Sequence, residues 1–123
     1  MDTPGPTLVV KVTCGTEALE RLNQGFTVAA TALASGAEVS LWLTGDATWM
    51  AVPGRAEEVS LPHAAPLAEL RDALLEGARV TVCGQCAARR GLSEGDLVDG
   101  AVIRGAAAFV EEVLAPGARA LVY

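Results

Sequence analysis

Apolar positions along the chain switch between a period of two and a period near 3.6. Residues 7–13 (TLVVKVT) form a short β-rich run that stops at Cys14-Gly15-Thr16. Across residues 17–35 the spacing becomes helical, with Leu19, Leu22, Phe26, Ala29 or Ala30, and Leu33 on one stripe. Thr16 stands where an N-cap belongs, and Gly36 where a helix-closing residue belongs. Residues 38–44 (EVSLWLT) read as a second strand ending at Gly45-Asp46. Residues 47–52 fit only a helical turn, which Pro53-Gly54 breaks. Pro66 opens a clear helix whose Leu67, Leu70, Leu74 and Leu75 share a face, and Gly77 ends it. Residues 79–82 make a third strand running into Cys83, residues 87–91 a short helix, and residues 101–103 a fourth strand. Residues 105–114 form a further helix, expected to turn Ala106, Val110, Val113 and Leu114 inward. Pro116-Gly117 stops it before a last strand over residues 118–123.

Strands alternating with helices predict an α/β fold: a three-layer α/β/α architecture with a five-stranded parallel sheet. The length of 123 residues fits a single domain over 1–123, with residues 1–6 (MDTPGP) as a flexible N-terminus. Apolar residues make up 51% of the chain but aromatics only 4%, so the core has to be built from Ala, Val and Leu. Half the residues being apolar in so small a domain also predicts self-association.

The net charge of −6 changes the functional picture. A folded nucleic-acid binder shows a basic face, because phosphate neutralisation supplies most of its affinity. Here the arginines are scattered apart from Arg89-Arg90, which argues against a nucleic-acid partner. No apolar run reaches the ~18 residues of a membrane span, and no signal-peptide pattern precedes the first strand. Three cysteines, an odd number, argue against a structural disulfide framework. The expectation is a cytoplasmic protein with reduced thiols and no membrane partner.

Chemistry in open α/β sheets collects beyond the carboxyl ends of the strands. Four such ends carry glycine: Cys14-Gly15-Thr16, Thr44-Gly45-Asp46, Cys83-Gly84-Gln85-Cys86 and Arg104-Gly105. Two carry cysteine. A thiol beyond a strand end meets unpaired backbone N–H groups at the first turn of the next helix, and these favour thiolate. Arg89 and Arg90, one to two turns on, are expected to add positive charge.

Other readings of the same residues stand beside this one. Free cysteines are often buried as small hydrophobes. His63 with Cys14, Cys83 and Cys86 would total the four ligands of a structural zinc, but one CxxC without a second paired set is weak, and no metal is expected. A thioredoxin-like CxxC follows an early strand and opens a long helix, unlike this one. No P-loop and no GxGxxG follows a strand, so no nucleotide cofactor is implied. Asp46, Arg55 and Arg104 belong to the strand-end loops, where solvation explains them as well as a site does.

The run "VCGQCAARRGL", followed by "VIRGAAAFVEEVL" and "ALVY" and preceded by "LWLTGDATWM", resembles the DsrE/DsrF-like (DsrE/TusD/YchN-type) sulfur-relay family. The resemblance runs from Thr7 to Tyr123, and its sharpest part is a cysteine at the end of the third strand, then small residues, then Arg-Gly. It implies a DsrE-like, flavodoxin-like architecture and a sulfur acceptor that holds a persulfide at that cysteine. With Arg89-Arg90-Gly91 in register, the matching residue is Cys83 rather than Cys86. A sulfurtransferase-type persulfide carrier without a cofactor follows, with Cys86 placed to attack the persulfide. Cys14, Gly15, Thr16, Gly45, Asp46, Gly84, Gln85 and Arg89 would form the surrounding pocket. The resemblance further implies a homotrimer or homohexamer, or assembly with other sulfur-relay proteins. The alternative is a non-catalytic oligomeric or small-ligand-binding module of the same family.

Overall fold

The computed structural model describes residues 5–123; the first four positions of the expected flexible segment lie outside the described residues. Five strands, β1 (Thr7–Val12), β2 (Glu38–Leu43), β3 (Arg79–Cys83), β4 (Ala101–Arg104) and β5 (Arg119–Val122), form one parallel sheet in the order β4-β3-β2-β1-β5. The α-helices α1 (Leu19–Ala34), α2 (Leu67–Gly77), α3 (Gly84–Arg89) and α4 (Ala106–Val113) connect them. The α/β class and the five-stranded parallel sheet are as expected.

The strand order explains how the two faces are covered. Parallel crossovers are right-handed, so a step in one direction places its helix on one face and a step back places it on the other. The chain moves in one direction from β1 to β4, which puts α1, α2 and α3 on the same side. Only the return from β4 to β5 runs the other way, and it carries α4 to the opposite face.

On the well-covered face, Val10, Val12, Leu41, Leu43, Val80 and Val82 meet Leu22 and Phe26 of α1 and Leu67 and Leu74 of α2. Each is buried, and withdrawing such a side chain from water is worth about 1.5–3 kcal/mol. Helix α1 lies so close to β1 that a Cβ at Gly25 would stand 2.5 Å from Val12 Cγ2. Leu70 and Leu75 are half-buried at the margin. Gly36, with φ +98°, closes α1 as expected.

Three local expectations are corrected. Thr16 does not cap α1. Thr16–Ala18 is a 3₁₀ turn, and the loop amide of Gly15 donates instead to Glu17 Oε1 at 2.6 Å. Helix α3 begins at Gly84, not residue 87, because Cys83 is its extended N-cap and the chain turns helical at once.

The third correction concerns α4, in which no residue is fully buried. Val110 is 49% exposed, Leu114, just beyond the helix, 76% exposed, and Ala106 is exposed, so of the stripe expected inside only Val113 is half-buried. Phe109 and Glu112 face the sheet instead. The Phe109 ring meets Trp42 edge-on at 5.4 Å. Glu112 Oε1 accepts hydrogen bonds from Ser40 Oγ and from Trp42 Nε1 (3.1 Å), and its Oε2 accepts one from Arg79 Nη1 (3.3 Å). The physical reason is the sheet surface beneath. It presents a hydroxyl and an indole N–H, and burying these donors requires an acceptor.

Candidate functional site

The carboxyl ends of β1, β2 and β3 are drawn into one cluster. Gly45 takes φ +53°, and a Cβ there would lie 2.5 Å from the Thr13 carbonyl oxygen, so only glycine lets the two strand ends touch in this way. Gly15 stands equally close against Asp46, where a Cβ would come 2.8 Å from the Asp46 Cβ. The third strand end is tied in by two links. The Gly45 N–H donates to Cys86 Sγ at 3.2 Å. Arg90 pairs with Asp46 (Nη2 to Oδ1, 2.7 Å) while donating to the Cys86 carbonyl at 3.0 Å.

Cys83 is half-buried at the start of α3. Burial works against its thiolate, but four influences outweigh it: the backbone N–H of Cys86, the Cys86 thiol, the backbone N–H of Gln85 and the charge of Lys11. The Cys83 thiol therefore ionises more readily than an ordinary one, the condition for a nucleophile. Cys86 is buried beside it, held between Cys83 and the Gly45 N–H. Gly84 lies against the β4 end, near Arg104 and Ile103, and Gln85 is exposed.

Other expected site residues lie elsewhere. Cys14 packs into the core at the start of α1, its Sγ 3.9 Å from the Ala18 carbonyl oxygen. Burial and the Glu17 carboxylate push its thiol up, with Arg21 partly opposing. Arg89 is exposed, and the positive charge acting on Cys83 is that of Lys11, not that of Arg89 or Arg90. Arg90 is engaged by Asp46 and the Cys86 carbonyl and Arg89 is exposed, whereas Lys11 lies on the sheet itself. His63 sits in an exposed loop at φ +62°. Among the described residues, no group of three or more His, Cys, Asp or Glu side chains is arranged to hold a metal.

Sequence reasoning missed two features. A cleft of about 230 Å³ lies beside the cluster, lined by Thr16, Asp46, Trp49, Met50, Arg55 and Glu58, with the Arg55 guanidinium 4.4 Å above the Trp49 ring. Trp49 and Glu58 carried no motif that would have marked them. Lys11 did carry a signal: a single charge inside an apolar strand.

Residues 8–123 match the DsrE/DsrF-like family. The chain belongs to this family. Among curated proteins, it is 36% identical over 98 residues to the uncharacterized protein MJ0989 of Methanocaldococcus jannaschii, covering 76% of this chain and 82% of that one. It is 32% identical over 108 residues to the uncharacterized protein MJ0760 of the same organism, covering 87% of this chain and 39% of that one. A third, uncharacterized protein MK0008 of Methanopyrus kandleri, is 35% identical over 81 residues, covering 66% of this chain and 64% of that one. The chain thus spans 39% and 64% of the length of two of these relatives. Two solved structures share the fold. The YchN protein of E. coli superposes with a TM-score of 0.78 at 19% identity, covering 97% of this chain and 99% of that one. Protein MTH1491 of Methanobacterium thermoautotrophicum, of unknown function, gives 0.71 at 11%, covering 96% and 99%. No helix among the described residues is long and apolar enough to cross a membrane.

Proposed function

We propose that this DsrE-like chain accepts sulfane sulfur on Cys83 and carries it as a persulfide, with Cys86 as the resolving thiol. The observation that carries the reading is the place of Cys83: a half-buried thiol at the N-cap of α3, where the backbone N–H groups of the first helical turn and the neighbouring Cys86 thiol favour its anion. In the uptake step the Cys83 thiolate attacks the outer sulfur of a donor persulfide, R–S–SH. The S–S bond of the donor breaks, R–S⁻ leaves, and Cys83–S–SH forms. Transfer to an acceptor thiolate is the same step reversed. Cys86, three residues on in the first turn of the same helix, opens a second route. Its thiol displaces sulfide from the Cys83 persulfide, leaving a Cys83–Cys86 disulfide that a cellular dithiol reduces. Such a bridge closes a very small ring and is easily reduced. No cofactor enters either route, and the setting is the cytoplasm, where thiols stay reduced.

Incubation with a persulfide donor followed by mass spectrometry tests this. Cys83→Ser abolishes uptake, whereas Cys86→Ser retains it and lengthens the persulfide's lifetime. Uptake by the Cys83 variant and none by the Cys86 variant would move the acceptor to Cys86. No effect of either change would remove the sulfur reading altogether.

The exposed apolar residues Val110 and Leu114 at α4 and Leu121 and Val122 on β5 support self-association as a trimer or hexamer, with other sulfur-relay proteins as further partners. A monomer mass by light scattering at micromolar concentration would refute the assembly. The second reading, a non-catalytic module that binds a small ligand, is favoured by the cleft beneath Trp49 and Arg55. It predicts ligand binding that survives Cys83→Ser.

A further inference from the structure

Lys11 is the chain's single lysine, and it lies near the carboxyl end of β1 between fully buried valines at 10 and 12. It is half-buried, and none of the ion pairs among the described residues includes it. Its Nζ rests instead 4.7 Å from the centre of the Phe109 ring. A partly desolvated ammonium inside a strand is costly unless it serves an anion.

The register shows which anion. Lys11 pairs with Trp42, and Trp42 with Thr81, two residues before Cys83. Side chains alternate along a strand, so Lys11, Trp42, Thr81 and Cys83 project from one face of the sheet, the face that α4 covers. On the far side of Cys83, Arg104 of β4 is its register partner, exposed and also outside every ion pair among the described residues. The carboxylate that α4 brings to this face, Glu112, is already engaged by Ser40, Trp42 and Arg79. Asp46, at the β2 end, is engaged by Arg90. Lys11 and Cys83 thus share one face of the sheet, and the charge of Lys11 favours the Cys83 thiolate.

We infer that Lys11 is a positioning residue for Cys83: its ammonium, steadied on the Phe109 ring, balances the negative sulfur that the strand end presents. The inference concerns the thiolate directly. Its extension to the outer sulfur of a persulfide, which reaches further over the same face, rests on the proposed function.

The test is the rate at which neutral iodoacetamide alkylates Cys83, read by peptide mass mapping across pH and ionic strength. Lys11→Met keeps the aliphatic stem and removes the charge. It is expected to move the midpoint of the pH profile up by about half a pH unit, a roughly three-fold loss of rate below the midpoint. Lys11→Arg keeps the charge and stays near the parent profile. In the unmodified chain, raising the salt from about 0.01 M to about 1 M, which shortens the screening length roughly ten-fold, slows the reaction toward the Lys11→Met rate. Because this arm needs no substitution, it decides the matter even if Lys11→Met fails to fold. The inference is overturned if Lys11→Met and the parent share one profile, if Lys11→Arg behaves like Lys11→Met, or if the parent rate ignores salt. Alkylation needs no sulfur donor, so the two ideas fail separately. A parent chain that takes up no sulfur but keeps the Lys11 dependence loses only the carrier role. Sulfur uptake without Lys11 dependence loses only this inference.

Discussion

Glu112 is the acidic side chain that α4 turns toward the sheet, and its removal tests how that helix is held. In Glu112→Ala, Trp42 Nε1 and Ser40 Oγ lose their acceptor while remaining in residues only 1% and 4% exposed. Each orphaned buried donor costs about 1–2 kcal/mol. Arg79, whose side chain is 58% exposed, loses a partner worth about 0.5 kcal/mol at most. The expected total is about 3 kcal/mol, which at roughly 4 °C per kcal/mol for a chain of this size lowers the Tm by about 10 °C. Glu112→Gln retains an amide oxygen for the two donors and should lose under about 1 kcal/mol. Because α4 has no fully buried residue, the loss should be local before it is global. Hydrogen exchange of the amides at 106–113 should accelerate in the alanine variant well below its Tm. A Tm within about 2 °C of the parent, with unchanged exchange over α4, would refute the reasoning and leave Phe109 as the sole anchor.

Two other outcomes follow from single contacts. Glu57 forms a two-pronged pair with the buried Arg71, at 3.0 and 2.7 Å, and the hydrogen bonds from that guanidinium hold its carboxyl below the usual carboxylate value. Its contribution is therefore full above the ordinary carboxylate pKa and fades as pH falls through the depressed one. Its half-exposed side chain limits this to under about 1 kcal/mol, and Glu57→Gln should flatten the corresponding slope in Tm between about pH 5 and 3. If the slope is unchanged, Glu57 is not its source. Gly45→Ala forces an L residue to φ +53° with its Cβ against the Thr13 carbonyl, and should cost about 2–3 kcal/mol in urea unfolding while freeing the Cys86 thiol for faster alkylation. An unchanged urea midpoint would mean that the β1 and β2 ends are not in rigid contact.

The strand–helix alternation and the cysteine at the end of β3 were legible because both are local: period, glycine punctuation and a strand running into Cys83. What escaped depends on which strands are neighbours. Lys11, the weakest of the influences that favour the Cys83 thiolate, lies 72 positions earlier, and only the β3-β2-β1 order brings the two to one face. Arg89 and Arg90 are nearer along the chain, but Arg89 is exposed and Arg90 is engaged by Asp46 and the Cys86 carbonyl. The inward face of α4 was misread for a related reason. An apolar stripe marks a surface that avoids water, and it does not say whether the chain's own sheet or a partner covers it. Val110 and Leu114 are left uncovered by the chain's own sheet, whereas Glu112 faces the sheet because Ser40 and Trp42 need an acceptor.

The single return crossover also sets an order of assembly. Strands β1 to β4 pair with neighbours from the adjacent part of the chain, so their loops are short to close. Strand β5 must instead find β1 across nearly the full length, as the Thr13 hydroxyl does in bonding to the Tyr123 carbonyl 110 residues away. Loop-closure entropy therefore makes β5 and α4 the last pieces to dock. On a ribosome, where the C-terminus emerges last, the helix-covered side can form while Val9, Trp42 and the Lys11–Cys83 face still lack α4. During that interval the nascent chain exposes Cys83 and the Trp42 indole together, and the docking of α4 covers the indole.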